Sequence, residues 1–234
     1  MMVKNLRVII IVDNEPGAGL RNSWGFSAYI EADKYRILFD ADTHPDILEY
    51  NIAKLRINLD KVDFAVLSHH HHDHYGGFKY VGRAVKGLTI YTPPGETNYL
   101  SEWGLKPIIN YSTRKINDDI WIIGPIKTGL WGIYEEALAV KLDYEGLVML
   151  VGCSHPGVDN LAMEAYSKIG SKIYWVVGGF HSPSSRTLDN LARLSKYISP
   201  AHCSGYNAKK YVREVYPEKY IHVYTGFTKD LPLK

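Results

Sequence analysis

Residues 67–77 read LSHHHHDHYGG. Positions 69–74 hold five histidines and an aspartate, a density of ligating side chains that an apolar core does not accommodate. Imidazolium ions packed this closely repel one another, so the cluster is unfavourable unless something holds it. Read as H-x-H-x-D-H, the candidate ligands are His69, His71, Asp73 and His74. In extended backbone alternate residues point the same way, so His69 and His71 aim at one point, and His70 and His72 away from it. Where the chain curls towards Tyr75-Gly76-Gly77, Asp73 and His74 aim at a neighbouring point. Imidazole and carboxylate suit zinc, with iron or manganese as alternatives, and two adjacent ions act together on one polarised bond. An expression tag fits poorly in mid-chain, between a strand and a glycine turn.

The elements around the run must deliver it. DFAVLS (63–68) is a short buried strand ending at the histidines, and the two glycines permit a tight turn. LRVIIIV (6–12), GFSAYIEA (25–32) and YRILFD (35–40) are strands, the last two a hairpin through EADK. A helix is expected over 45–55, with Thr43 as N-cap and Pro45 in its first turn. Strands follow over 88–92, 120–124, 137–142 and 146–152, the last two joined at Tyr144-Glu145-Gly146. Helices over 158–169, 185–198 (capped by Ser184 or Ser185) and 207–216 then alternate with strands over 172–179 and 220–225. The simplest architecture is two sheets packed together with helices on both outer faces, a single domain over 1–234.

The 234 residues suffice for a sizeable core, and a net charge of +2 gives no reason to expect a nucleic-acid partner. Only Cys153 and Cys203 are present, which argues against a disulfide framework and fits a reducing cytoplasm. The N-terminal stretch reads as a strand, not a leader, and no segment approaches a membrane span. A cytoplasmic protein acting on a small molecule is the expectation, with a homo-oligomer left open.

H-x-H-x-D-H followed by Gly-Gly resembles the metallo-β-lactamase-fold hydrolases, whose fold is an α/β four-layer αβ/βα sandwich. The resemblance implies that His69 and His71 bind one metal, and Asp73 and His74 a second. It implies further ligands downstream: His155, in MLVGCSHPG, for the first metal and His202, in ISPAHCSG, for the second. A bridging aspartate is also implied, but here the strand ends in Gly152-Cys153. Cys153 is then a bridging thiolate, a side chain facing the site, or a buried apolar cysteine.

VGCSHPG, VVGGFHS and PAHCSG, after ILFDAD and AVLSHHHHDHYGG, are similar to the 7,8-dihydropterin-6-methyl-4-(β-D-ribofuranosyl)aminobenzene 5′-phosphate synthases. That likeness implies that His181 lies at the site; its plainer reading is a loop histidine at a strand end. Asp40-Ala41-Asp42 stands where that subgroup commonly has Asp-Thr-Gly. Asp40 then orients a ligand from behind, and Asp42 adds bulk and charge near the site. His44 and His222 read as structural. Glu135 and Glu136 precede a strand and face either substrate or solvent. Aromatics in NSWGFS and LWGIYEE hint at a pocket for a ring-bearing substrate.

The implied activity is a metal-dependent, binuclear hydrolase acting on a small-molecule ester or phosphoester, with two divalent ions and with Asp73 and His181 taking part in catalysis. His181 would stabilise an oxyanion or protonate the leaving group. The alternative is the subgroup's transferase chemistry, in which an arylamine displaces diphosphate from a dihydropterin-methyl carbon. A metal protein without catalysis is the remaining reading, and so many ligands exceed what a sensor needs.

Overall fold

A computed structural model describes residues 3–129 and 132–232. The strands are β1 (Leu6–Val12), β2 (Ser27–Ala32), β3 (Tyr35–Phe39), β4 (Phe64–Val66), β5 (Thr89–Thr92), β6 (Lys106–Ile109), β7 (Arg114–Asn117), β8 (Ile120–Lys127), β9 (Tyr134–Leu142), β10 (Gly146–Val151), β11 (Ile173–Gly179), β12 (Ser195–Ala201) and β13 (Thr228–Leu231). The helices are α1 (Pro45–Lys54), α2 (His72–Tyr75), α3 (Phe78–Ala84), α4 (Asn98–Glu102), α5 (Val158–Ile169), α6 (Ser185–Leu194) and α7 (Gly205–Val215). They sort into two compact units. Of the described residues, the first holds 5–111 and 224–232; the second holds 3–4, 112–129 and 132–223.

In the first unit the described strands form one sheet in the order β13-β1-β2-β3-β4-β5-β6. β13, β1, β2 and β3 pair antiparallel, whereas β3 to β6 run parallel. Parallel neighbours require crossovers, and α1, α2 with α3, and α4 supply them. Leu48 and Ile52 of α1, Phe78 and Val81 of α3 and Leu100 of α4 share a core with Tyr29, Leu38, Ala65 and Ile90 of the sheet. Alternate residues Ile30, Ile37 and Phe39 are fully buried too, so the middle strands read as continuous apolar runs. Each such side chain contributes about 1.5–3 kcal/mol of burial.

The second unit's sheet runs β12-β11-β10-β9-β8-β7. β7 to β10 form an antiparallel meander, then β10, β11 and β12 run parallel, connected through α5 and α6. Leu161 of α5, Leu188 of α6 and Val212 of α7 pack with Met149, Val151, Val176 and Ile198.

Several expected elements differ. Helix α6 stops at Leu194, and residues expected to prolong it form β12 instead. Its cap Ser195 is already extended, at φ −124° and ψ 149°. Pro200 is tolerated in β12 because that strand lies at the sheet edge. The expected strand 220–225 is a single bridge, Ile198 to Tyr220, and the closing strand is β13. Helix α1 is preceded by His44, not Thr43, whose hydroxyl donates to the Trp24 carbonyl. Ser184 does cap α6, accepting from the Thr187 amide at 3.1 Å. Trp131 of LWGIYEE lies outside the described residues, and Phe26 of NSWGFS is core, whereas Trp24 is exposed.

Candidate metal centre

In the first unit the histidine run leaves the carboxyl end of β4, and Asp40 leaves the carboxyl end of its parallel neighbour β3. Carboxyl ends of parallel strands are where open α/β sheets place ligands. The backbone bends at His69 and His70, is extended at His71 and turns helical at His72. His69 Nε2 and His71 Nδ1 converge to 3.1 Å. Two nitrogens bound tetrahedrally to one zinc, at 2.0–2.1 Å each, sit about 3.3 Å apart, so this pair fits one ion. His70 turns away, its Nδ1 2.9 Å from the Tyr99 hydroxyl and its Nε2 3.0 Å from the Pro93 carbonyl. His72 is exposed, its ring edge-on to Tyr75. The alternation read from the sequence therefore describes which way the four rings point.

Behind the ligands stands Asp40, fully buried. Its carboxylate lies 2.7 Å from His74 Nδ1 and accepts from the Ser68 amide and hydroxyl, each at 2.7 Å. With Nδ1 engaged by an acceptor, the lone pair of His74 is on Nε2, 3.8 Å from Asp73 Oδ2. Ser68 Oγ also meets His69 Nδ1 at 2.9 Å, which leaves His69 Nε2 as its donor atom. Burial pushes the Asp40 carboxyl up, and His74 and the Ser68 donors oppose that rise.

The second unit repeats the device. Cys153 and His155 follow β10, His181 follows β11, and His202 follows β12, all at carboxyl ends of parallel strands. Glu135, fully buried in β9, accepts from the Cys153 and Ser154 amides through Oε1 at 2.8 and 2.6 Å. Its Oε2 takes the His155 amide at 2.7 Å and His155 Nδ1 at 2.8 Å. His155 thus presents Nε2, and its ring lies 4.4 Å from that of exposed His181. His202 is buried at the end of β12. Cys153 is buried, its sulfur 3.2 Å from that of Cys203.

Non-glycine residues with left-handed backbone collect at these strand ends: Asp40 (φ 52°), Asp42 (60°), Ser154 (60°), His181 (51°), Ser182 (48°) and His202 (44°). Such conformations cost about 1–3 kcal/mol each and persist where surrounding structure enforces them, commonly at functional sites.

Two expectations change and one is sharpened. Gly76 and Gly77 form the turn between α2 and α3, with αR backbone at φ −55° and −70°. They are small because a Cβ would lie 2.1 Å from the Thr43 carbonyl at Gly76 and 1.9 Å from that of Ala41 at Gly77. The Asp42 carboxylate accepts from the Ser23 hydroxyl of the β1–β2 connection and from the His44 amide, with burial pushing its carboxyl up. Glu135 faces neither substrate nor solvent, and this histidine-orienting role escaped the sequence reading. A signal was present, since two glutamates opening the apolar run EEALAV require buried partners.

Residues 25–162 match the family described as Metallo-beta-lactamase superfamily. The chain is 24% identical to the 7,8-dihydropterin-6-methyl-4-(beta-D-ribofuranosyl)-aminobenzene-5'-phosphate synthase of Methanocaldococcus jannaschii, over 96% of each chain. It is 29% identical to the uncharacterized protein MJ0448 of the same organism, over 92% of this chain and 96% of that one. Among solved structures, a metal-dependent hydrolase of the beta-lactamase superfamily superposes with a TM-score of 0.80 at 23% identity, covering 96% of this chain and 98% of that one. A diphosphatase of the PhnP family gives 0.64 at 14%, covering 98% of both chains. The fold is the expected one, two mixed sheets flanked by helices, and metal-ligating side chains gather in both units. With one family spanning more than half its length, the chain belongs to the metallo-beta-lactamase superfamily.

Proposed function

We propose that this chain is a single-domain, metal-dependent hydrolase of small-molecule esters or phosphoesters, with a centre for two divalent ions, zinc first. The observation that carries the reading is the paired second layer: Asp40 behind His74, and Glu135 behind His155. Carboxylates that fix a histidine's tautomer and aim its other nitrogen accompany metal ligation. We assign His69, His71 and His155 to one ion and Asp73, His74 and His202 to the other, with Cys153 at the centre. A divalent ion bound there supplies Lewis acidity towards an ester or phosphoryl oxygen and acidifies water.

The chain's own groups do the rest. Asp40 and Glu135 hold protons on the Nδ1 atoms of His74 and His155, so those rings cannot turn over and lose their aim. Partly exposed Asp73 supplies a carboxylate beside His74 that can hold a proton during turnover. His181, exposed and carried on a left-handed residue, is the group placed to meet the departing oxygen and protonate it. No helix among the described residues is long and apolar enough to cross a membrane.

The test is elemental analysis of the purified protein and of His71→Ala, followed by a phosphoester and ester screen. Loss of metal in the variant together with loss of turnover is expected; full metal content in His71→Ala refutes the ligand assignment. A second reading, the transferase, is favoured by the likeness to the synthase over 96% of both chains. Incubation with a dihydropterin-methyl diphosphate separates the two. Diphosphate release that needs the arylamine supports the transferase, and release of the pterin alcohol without it supports the hydrolase.

A further inference from the structure

The second unit holds a cluster of which the two-ion assignment uses only Cys153. Cys203 was given no role there, yet its sulfur lies 3.2 Å from that of Cys153, and no disulfide joins them. Ligand atoms of Cys153, Cys203 and His181 all lie within 4.8 Å of one another. They run outward from buried Cys153 through half-buried Cys203 to exposed His181, a path by which an ion from solvent can enter.

The backbone is shaped to let the sulfurs meet. Cys153 follows β10 and Cys203 follows β12, two strands that do not pair, because β11 lies between them. β11 ends in Gly178-Gly179. A Cβ at Gly178 would sit 1.9 Å from the Val151 carbonyl, and one at Gly179 2.4 Å from the Gly152 carbonyl and 2.7 Å from Cys203 Sγ. Any side chain at either position would wedge the flanking strand ends apart. The glycine pair in VVGGFHS therefore brings the two thiols together across an intervening strand.

We infer that Cys153, Cys203 and His181 form a thiolate-rich site for a soft or borderline divalent ion, with Cys203 a metal ligand. Thiolates with imidazole select zinc and its softer neighbours over magnesium or calcium, and two cysteines with one histidine leave a fourth position open. Zinc–sulfur bonds of about 2.3 Å put two tetrahedral sulfurs about 3.8 Å apart. The observed pair needs to open by only about half an ångström to reach that spacing. Binding displaces one proton from each thiol to solvent and involves no redox step.

The inference deepens the metal-dependent reading, and one experiment separates their failures. The full chain, kept reduced, is exchanged into cobalt(II), and the near-ultraviolet sulfur-to-cobalt charge-transfer band is recorded per protein. Two thiolates predict that Cys203→Ser and Cys153→Ser each lose about half the band, and that the double variant loses it all. Unchanged far-ultraviolet circular dichroism shows that these near-isosteric variants fold. His181→Ala should shift the visible cobalt bands while retaining the sulfur band. A full band in Cys203→Ser, or no sulfur band despite bound cobalt, overturns the thiolate site and leaves the wider reading standing. Visible bands that His181→Ala does not move overturn the three-donor site and leave His181 as the proton donor, a role that coordination of its ring would replace. A wild-type chain that binds no cobalt sinks both.

Discussion

Asp40 and Glu135 are carboxylates fully buried in the protein, each within 2.8 Å of a histidine Nδ1. If they aim ligands, neutralising either should weaken metal binding without emptying the fold. Asp40→Asn and Glu135→Gln are each expected to lower metal affinity about 10–100-fold, read by competition with a chromophoric chelator. Affinity within twofold of wild type in both variants would sink the orienting role. This layer was half legible in the sequence. The ligands of H-x-H-x-D-H are neighbours, so spacing alone exposes them, and Asp40 came with the resemblance. Glu135 is separated from His155 by 20 residues and a sheet register, which no local pattern reports. His70 supplies a prediction of another kind. Burial lowers its pKa below the usual 6.5. As pH falls through the unfolded value the unfolded chain takes up a proton that the folded chain refuses, so stability is lost from about 6.5 downward to the folded pKa. Urea unfolding at neutral and mildly acidic pH should show a shallower loss in His70→Gln than in wild type. Equal slopes would mean that His70 does not contribute.

The elements surrounding the run are held by close backbone approach. In αR backbone, which Gly76 and Gly77 adopt between the two helices, alanine is favoured over glycine by at most about 1 kcal/mol. Steric contact with the Thr43 and Ala41 carbonyls opposes it, at Cβ distances of 2.1 and 1.9 Å. Backbone cannot give way as a flexible side chain can, so the clash wins. Gly77→Ala is expected to destabilise by about 1–3 kcal/mol in urea unfolding, and a stabilised variant would show that the propensity argument prevails. The glycines and their turn were visible beforehand, but the close contacts with the Thr43 and Ala41 carbonyls were not, because no local pattern reports a carbonyl more than 30 residues away. The same limit hid β12. Leu188, Leu191 and Ala192 give α6 a helical period, and nothing in SKYISPA marks where it ends except an extended Ser195. Strands with strong β-branched runs, such as LRVIIIV and KIYWVV, were legible because propensity, burial and pairing agree there. Ser184, to which no ligand role is assigned, provides a control. Ser184→Ala should cost about 0.5–2 kcal/mol through the lost cap on the Thr187 amide, with metal content unchanged.

At the scale of the whole molecule, each unit carries one carboxylate-backed histidine, and the proposed ligand assignment gives His71 and His155 the same ion. That claim has a thermodynamic signature. If His71 of the first unit and His155 of the second hold the same ion, removing either already forfeits most of that ion's binding, and removing both adds little. If they hold separate ions, the losses add. Sites without shared partners add within about 0.3–0.5 kcal/mol, whereas residues in one network show coupling of about 0.5–3 kcal/mol. Metal affinities of wild type, His71→Ala, His155→Ala and the double variant close the cycle. Thermal unfolding with and without chelator gives a parallel readout, because an ion bound only by the folded chain stabilises it by RT ln(1 + [L]/Kd). Chelation should lower the wild-type Tm, and lower it less, by one common amount, in both single variants and in the double variant, where the second ion remains. Strong coupling with that one shared reduction is the expected result. Additive losses, with the chelator effect reduced in each single variant and reduced further in the double, would assign the two histidines to different ions.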